Sequence, residues 1–548
     1  MYWPTQTSLI PATVALARYI ESHGFLGEYP YWYLGSTPIK YLIGPVVPSL
    51  LVFSHKIFPN LSFFDLSFLT LIFPFLFSAL GWGILARYLS QNKFIGLIAG
   101  LITIILPWHW ISSLGLSELS SVAASSLTPW VLLLFARYQK GPVSLLKANS
   151  KYQIFLPAAS FALLLLTNTV SSIPSIVGMI ILAIIFNKKW EEGLKRVGLV
   201  VFSGWLLTLW WYTPGYWLTI LGAPSIGGKS AMSAFVTLLN LLRGFVPVIL
   251  AVVLVWWKVK PKTMLAKFTL LWLVFFGSLT LFRFISDPDF WMDWTSWVGE
   301  VEVGVVLLAS MLIFRSVRHL KKPFGQHTRG PVSRFPPASA RFNFLSMIVQ
   351  WSIRKLRAGG NPSTPATPRG VYPELVEGSY FLKWLPAFNF DRKFTIFYLL
   401  FTIYIVFGWV VAWQKRDFWL PRKDISQTVE YKIANRLDEL VKPGETVFLS
   451  GTTAFWLNSF FDIRQVRGGV DQAAKDLRWR QAAWEIREGN NPQKSGVWLK
   501  NLNINYLVVH TSQSREFYHD FKYPEKFEET SSLQKVYDNQ GDRIYRVR

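Results

Sequence analysis

The chain contains no cysteine. Disulfides, thiol nucleophiles and cysteine-ligated zinc are therefore excluded. Charge is also scarce: only 16% of the 548 residues are Asp, Glu, Lys or Arg. A soluble protein of this length needs more polar surface to cover its core. Acids are the rarer sign, 32 against 56 basic residues, which leaves a formal charge of +24. There are only seven histidines, and neither an H-E-x-x-H nor a G-x-S-x-G pattern occurs, so the common hydrolase motifs are missing. What is abundant is apolar: 51% of residues are hydrophobic and the mean hydropathy is +0.29. Several uncharged windows reach membrane-spanning length, among them 66–86 and 394–413. This is the composition of a polytopic membrane protein, and a fibrous, disordered or wholly cytosolic chain is excluded.

The apolar windows predict about ten spans, at 66–86, 94–112, 119–137, 153–171, 172–187, 196–213, 236–257, 266–285, 298–315 and 393–413. The basic residues fall in alternate loops. Arg87 and Lys93 follow the first span, Arg137, Lys140, Lys147 and Lys151 the third, and Lys188, Lys189, Lys195 and Arg196 the fifth. Lys258, Lys260, Lys262 and Lys267 follow the seventh, and Arg315, Arg318, Lys321 and Lys322 the ninth. In the intervening loops Lys229 is the only basic residue. By the positive-inside bias the basic loops are cytoplasmic. The surplus of cations is thus explained by topology, and nucleic acid is not expected as a partner.

The fold class expected is mainly α, a polytopic transmembrane bundle with a small C-terminal extracytoplasmic α/β domain. The expected divisions are an outer amphipathic loop region (1–60), the bundle (61–315), a basic cytoplasmic linker (316–392), a last span (393–413) and the α/β domain (414–548). The linker is rich in Pro, Gly, Ser and Arg and is expected to be disordered. Its run RGVYPELVEGSYF (369–381) resembles a translated genomic repeat of some bacteria, and a basic segment resting on anionic lipid heads is the other reading. Beyond Trp413, helix patterns at 424–441 and 473–488 alternate with strand patterns at 446–450, 504–509, 534–538 and 543–547. No phosphate-loop pattern follows Gly451, so this domain reads as a binding or lid module. Both termini fall on the outer face, yet no signal peptide is present. Either residues 1–60 translocate unaided, or, as we favour, a preceding span is missing from this chain.

Ionisable groups beside apolar spans are expensive and are weighed first. Arg243, within an apolar stretch, and Arg283, near the outer end of its span, are candidate anchors for a lipid-linked phosphate, because guanidinium forks match phosphate oxygens. An arginine snorkelling to head groups is the plainer alternative. Glu21, Glu28, Asp65, Glu118, Asp287, Asp289, Asp293, Glu300 and Glu302 map to the outer boundary. SDPDFWMDW (286–294) brings Asp287, Asp289 and Asp293 together, a set able to hold a divalent cation through oxygens or to supply a general base. An acidic, tryptophan-anchored interfacial loop has the same composition. Glu118 opens a span and either caps that helix or lines a catalytic cavity. His23 and His109 read as outer-end aromatic-belt neighbours rather than ligands.

Three stretches carry a resemblance. HGFLGEYPYWYLGSTPIKYLIGPVVPSLL (23–51), with Trp32, Gly35, Pro38, Pro45 and Pro48, resembles the first outer loop of GT-C-type polytopic membrane glycosyltransferases. It is similar in particular to bacterial proteins labelled 6-pyruvoyl-tetrahydropterin-synthase-related. LGLSELSSVAASSLTPW (114–130), with Glu118 and Pro129, is the second. LLLLTNTVSSIPS (163–175) is the third, with Asn168 where relatives usually carry histidine. Segments 455–472 and 498–512 resemble the outer domain of that group. The resemblance implies transfer of a sugar from a polyprenyl-phosphate donor to an outer-face acceptor. Such a protein sits in the cell membrane, its partners being lipid, lipid-linked sugar and acceptor. It also implies a catalytic acid just after a first span, a point near which this chain begins with MYWPTQTSL, so the chain is either a transferase or an inactive relative. No tetrahydropterin chemistry is implied, since the zinc-binding histidine set is lacking. A non-enzymatic transporter or scaffold for envelope polysaccharide or lipid assembly is the rival class, disfavoured by the few polar mid-span residues.

Overall fold

The structure is a computed structural model that describes residues 10–25, 28–36, 44–110, 119–140, 148–187, 189–222, 246–254, 261–286, 295–320, 392–414, 424–469, 474 and 476–548. Residues Met1–Phe314 with Thr402–Arg548 form one compact unit and Arg315–Phe401 a second.

The N-terminal half of the first unit is helical. Its elements are α1 (Ile10–His23), α2 (Val46–Ile57), α3 (Phe63–Ser90), α4 (Lys93–Ile105), α5 (Pro107–Trp110), α6 (Leu119–Lys140), α7 (Ala148–Thr167), α8 (Ser172–Phe186), α9 (Trp190–Leu207) and α10 (Pro214–Gly222). Next come α11 (Met264–Ser286), α12 (Thr295–Leu320) and α13 (Arg392–Gln414). Among the described residues four helices are long and apolar enough to cross a membrane, at Phe63–Ser90, Leu119–Gln139, Met264–Leu281 and Trp297–Val317. Shorter apolar helices include Lys93–Ile105, Ile154–Thr167, Ser172–Phe186 and Phe401–Val411.

The longest of these, α3, starts at a capping box. Ser62 accepts from the Asp65 amide, and the Asp65 carboxylate accepts back from Ser62. One face of α3 buries Leu71, Phe75, Ala79 and Trp82, while Leu69, Phe73, Leu76 and Leu80 are exposed, the pattern of a helix with lipid on its outer side. Tryptophans lock the bundle: Trp82 packs edge-on against Trp272, and the Trp272 indole donates to Glu300 O at 2.7 Å.

The C-terminal domain holds α14 (Val429–Leu440), β1 (Thr446–Phe448), α15 (Thr452–Phe460), β2 (Arg464–Gln465), α16 (Arg478–Glu488), α17 (Pro492–Asn501), β3 (Ile504–His510), β4 (Leu533–Asn539) and β5 (Asp542–Val547). The strand order is β2-β1-β3-β5-β4. β1 pairs parallel with β2 and β3, whereas β3–β5 and β4–β5 are antiparallel. Gln540 and Gly541, both with positive φ, make the two-residue hairpin turn between β4 and β5.

Residues 10–25 and 28–36, which lie in the expected outer loop region, belong to the same core as this domain. α1 is buried along nearly its whole length and packs on α15. Arg18 donates to Asn458 O at 3.2 Å and pairs with Asp462 at 3.6 Å. The turn at 31–34 adds to the β2 edge, with Gln465 N donating to Tyr31 O at 2.9 Å and Leu34 N to Gln465 O at 3.3 Å. Trp32 is fully buried against Gly468 and Gly469, where a Cβ on Gly468 would meet its ring at 2.4 Å. A single apolar cluster joins α1, Tyr29, Trp32, Leu66 and Leu119 to Phe448, Val466, Trp479 and Leu507. The α/β domain therefore sits at the end of the bundle where α6 begins.

Candidate functional site

At that end the described polar side chains gather where α6 starts and where α7 hands over to α8. Asn168 breaks the apolar run after Thr167. Its carbonyl oxygen accepts from the Ser171 amide at 3.1 Å, and its amide nitrogen reaches Ser121 Oγ on α6 at 3.5 Å. Ser121 Oγ and Ser171 Oγ are also 3.5 Å apart. Deeper in the bundle, Ser175 Oγ lies 3.2 Å from Thr128 Oγ1. The two contacts to Ser121 are long and all the groups are neutral, so this is a loosely bonded polar cluster rather than a locked network. The α7 terminus beneath it is sealed. Tyr212 OH donates to Leu165 O at 2.6 Å, satisfying one of the carbonyls a helix end leaves open. Gly44 presses so closely on the same end that a Cβ would fall 1.7 Å from Leu166 O.

Of the residues singled out in the sequence, Glu118, Asp287, Asp289, Asp293 and Arg243 lie outside the described residues, as does the side chain of Arg283 on α11. In sequence Glu118 is the residue before Leu119, with which α6 begins, three positions from Ser121. The three aspartates fall between Ser286, which ends α11, and Thr295, which begins α12.

Several other outer-boundary acids have structural work. Asp65 closes the capping box of α3, accepting from the cap residue Ser62. Glu21 pairs with His55 at 2.9 Å. Glu302 is buried on α12 and accepts from Tyr404 OH of α13. His23 stacks on Tyr19 with ring centroids 4.5 Å apart and meets Ser22 Oγ at 2.6 Å, as suits a packing residue. The Ser121–Asn168–Ser171 cluster was not singled out as a site by sequence reasoning. Its only signals were the serine-rich start of the 114–130 stretch and the polar break Asn168–Pro174.

The α/β domain places a second polar group at the C-terminal ends of β1 and β3, where ligands commonly bind in open α/β sheets. Here the protein's own carboxylates occupy the position. Gly451 has φ +68°, and a Cβ there would lie 2.2 Å from Glu516 Oε1. Thr452 N, at the start of α15, donates to Glu516 Oε1 at 2.7 Å, and Gly451 N donates to Asp520 Oδ2 at 3.1 Å. A helix N-terminus attracts anions, and these two acids serve it. Asp520 Oδ2 also accepts from Ser450 Oγ, from Arg467 at 3.0 Å and from Arg487 at 3.1 Å. Burial alone would raise the Asp520 carboxyl, but the Ser450 hydroxyl and the two guanidiniums hold it below its ordinary value. Burial raises Glu430, against the lowering effect of its own amide and of the Thr452 hydroxyl, which donates to it at 2.9 Å. His510, itself buried, bridges Asp542 at 2.8 Å and Thr453 at 3.1 Å. These groups satisfy one another and brace the sheet.

Among the described residues no three His, Cys, Asp or Glu side chains converge to hold a metal ion. The aspartates proposed from the sequence as cation ligands are not among those residues.

No protein-family model matches the sequence, and no curated protein matches it significantly. Solved structures do match. The archaeal oligosaccharyltransferase AglB from Archaeoglobus fulgidus, in complex with an inhibitory peptide and a dolichol-phosphate, is similar with a TM-score of 0.52 at 12% identity, covering 100% of this chain and 71% of that one. The apo form of the oligosaccharyltransferase from the same organism gives 0.49 at 12% identity, over 93% of this chain and 66% of that one. ArnT from Cupriavidus metallidurans, apo, gives 0.46 at 12% identity, over 100% and 93%. The likeness to AglB is one of fold. The chain is a mostly helical membrane protein whose fold is similar to that of this archaeal oligosaccharyltransferase, in line with the resemblance its sequence motifs carry.

Proposed function

We propose that the chain is an integral membrane glycosyltransferase that moves a sugar from a polyprenyl-phosphate donor to an acceptor on the outer face of the cell membrane. One observation supports the reading most: a neutral polar cluster of Ser121, Asn168 and Ser171 beside the start of α6, where Leu119 joins the apolar core shared with the α/β domain. Glu118 adjoins that cluster in sequence. The archaeal neighbour was solved with a dolichol-phosphate and an inhibitory peptide, which supports a lipid phosphate as a ligand of this fold.

In this reading the bundle has about ten spans, residues 316–392 form a cytoplasmic linker, and the α/β domain is extracytoplasmic. A carboxylate, Glu118 or one of Asp287, Asp289 and Asp293, takes the proton of the acceptor as its lone pair attacks the sugar's anomeric carbon. The bond from that carbon to the phosphate oxygen breaks, and the electron pair leaves with the polyprenyl phosphate. Arg243 and Arg283 steady the charge that develops there. The α/β domain contributes a roof over the acceptor side rather than reacting groups.

The test is consumption of a lipid-linked sugar by the full chain in proteoliposomes. Glu118→Gln is expected to lower the rate by about 100-fold or more, the usual scale for removing a general base. Arg243→Ala and Arg283→Ala are expected to weaken donor use. Unchanged consumption in these three variants and in Asp287→Asn, Asp289→Asn and Asp293→Asn removes the assignment and leaves a transporter or scaffold.

A further inference from the structure

α3 and α4 meet at small residues. A Cβ on Gly96 would fall 2.6 Å from Gly83 O and from Arg87 Cβ, and one on Gly100 would fall 3.2 Å from Ala79 O. Because nothing holds the backbones apart, the larger side chains on either flank splay outward. Leu76, Leu80 and Ile84 wall one side of the resulting groove and Leu97, Leu101 and Ile104 the other, enclosing about 350 Å³. Leu80 and Leu97 remain 56% and 60% exposed, so the groove opens away from the protein. Arg87 and Lys93, both exposed, line the same groove at one end.

Two lengths identify the occupant. From Leu76 to Arg87 α3 rises about 16 Å, close to half of the roughly 30 Å hydrocarbon core. That is the depth of one leaflet. The other end of α3 lies under the α/β domain, where Phe64 stacks on Trp456 at 5.6 Å between centroids. Arg87 is then about 34 Å further along the helix. The cations therefore face the leaflet opposite the candidate site.

We infer that this groove is a binding site for an anionic phospholipid of that leaflet. One acyl chain lies between the leucine walls over the glycine floor, and the head-group phosphate sits at Arg87 and Lys93. Basic pockets between membrane helices favour anionic head groups on physical grounds. This inference does not rest on the transferase reading.

The test uses the full chain in phosphatidylcholine nanodiscs doped with phosphatidylglycerol, with retained lipid counted by native mass spectrometry. The parent protein is expected to retain phosphatidylglycerol in preference to phosphatidylcholine. Arg87→Gln with Lys93→Gln should weaken that retention about 30-fold, and Arg87→Lys alone should keep most of it. Leu80→Trp fills the groove from an exposed wall position and should expel the lipid with both charges intact. If the double variant fails to fold, Leu80→Trp and a fall in the parent's preference with added salt decide the matter. Equal retention of both lipids by the parent, or no loss in either the double variant or Leu80→Trp, overturns the inference. Displacement of phosphatidylglycerol by a polyprenyl phosphate overturns it as well.

Discussion

The bundle and the α/β domain hold themselves together by opposite means. In the bundle, helices approach through residues without a side chain: Gly83, Gly96 and Gly100 between α3 and α4, Gly178 beneath Leu132 and Trp272, and Gly44 against the end of α7. In the domain, charged groups are desolvated and matched, as in the Asp520–Arg467–Arg487 set and the Glu516 cap of α15. Lipid offers no hydrophobic gain for bringing helices together, so close packing must do it. Beside water, a buried carboxylate is tolerated only when hydrogen-bonded. The difference bears on function. The domain's buried carboxylates are committed to its own framework, while the described polar cluster of Ser121, Asn168 and Ser171 is neutral.

The tightest of these approaches is Gly44 against the end of α7. Gly44→Ala drives a methyl group into the Leu166 carbonyl and is expected to cost about 3 kcal/mol or more. Size-exclusion chromatography of the detergent-solubilised protein should show loss of the folded peak. Arg467→Ala leaves Asp520 with one guanidinium, an expected loss of about 3 kcal/mol in thermal unfolding. If Arg467→Ala unfolds no more easily than the parent, the ionic set is ornamental and the contrast fails.

The two buried acids sharpen it by pH. Asp520 is lowered in the folded state, so its contribution is full above the ordinary value of 3.8 and is lost as pH falls below it. Glu430 is raised, so its effect has the opposite sign: stability is favoured below 4.5 and is lost as pH rises through its folded value. Glu430→Gln is accordingly expected to stabilise the fold at neutral pH by on the order of 1 kcal/mol, seen as a higher melting temperature, whereas Asp520→Asn should lower it. The smallest effect is expected on the surface. Trp484 is exposed on α16, and Trp484→Ser should change stability by less than about 0.5 kcal/mol.

Much of the fold was legible because its signals are local. The apolar window at 66–86 became α3, extended to Phe63 by the Ser62–Asp65 capping box. The run at 504–509 became β3 with one residue added. The helix expected from 473 begins at Arg478, because the Asp476 carboxylate accepts from the Arg478 amide at 2.9 Å and marks the turn before it. What was hidden depends on partners far along the chain. α1 reads as amphipathic because the surface that buries it, α15, lies more than 400 residues away, as the 440-residue separation of Arg18 and Asn458 shows. The same holds for the site. Glu21 reads in the sequence only as an outer-boundary acid, and its partner His55 lies 34 residues on. Only Asn168 carried its meaning locally, as a polar break between two apolar runs.

Where a polyprenyl phosphate binds tests the central proposal most directly. The chain lacks cysteine, so single cysteines can be introduced at chosen positions without background and crosslinked to a photoreactive polyprenyl phosphate. Crosslinks at positions flanking Arg243, Arg283 and Ser121, with none at Leu80 or Leu97, are the expected result. Crosslinks confined to the Arg87–Lys93 end of α3 and α4 would place the donor on the face opposite the α/β domain and contradict it.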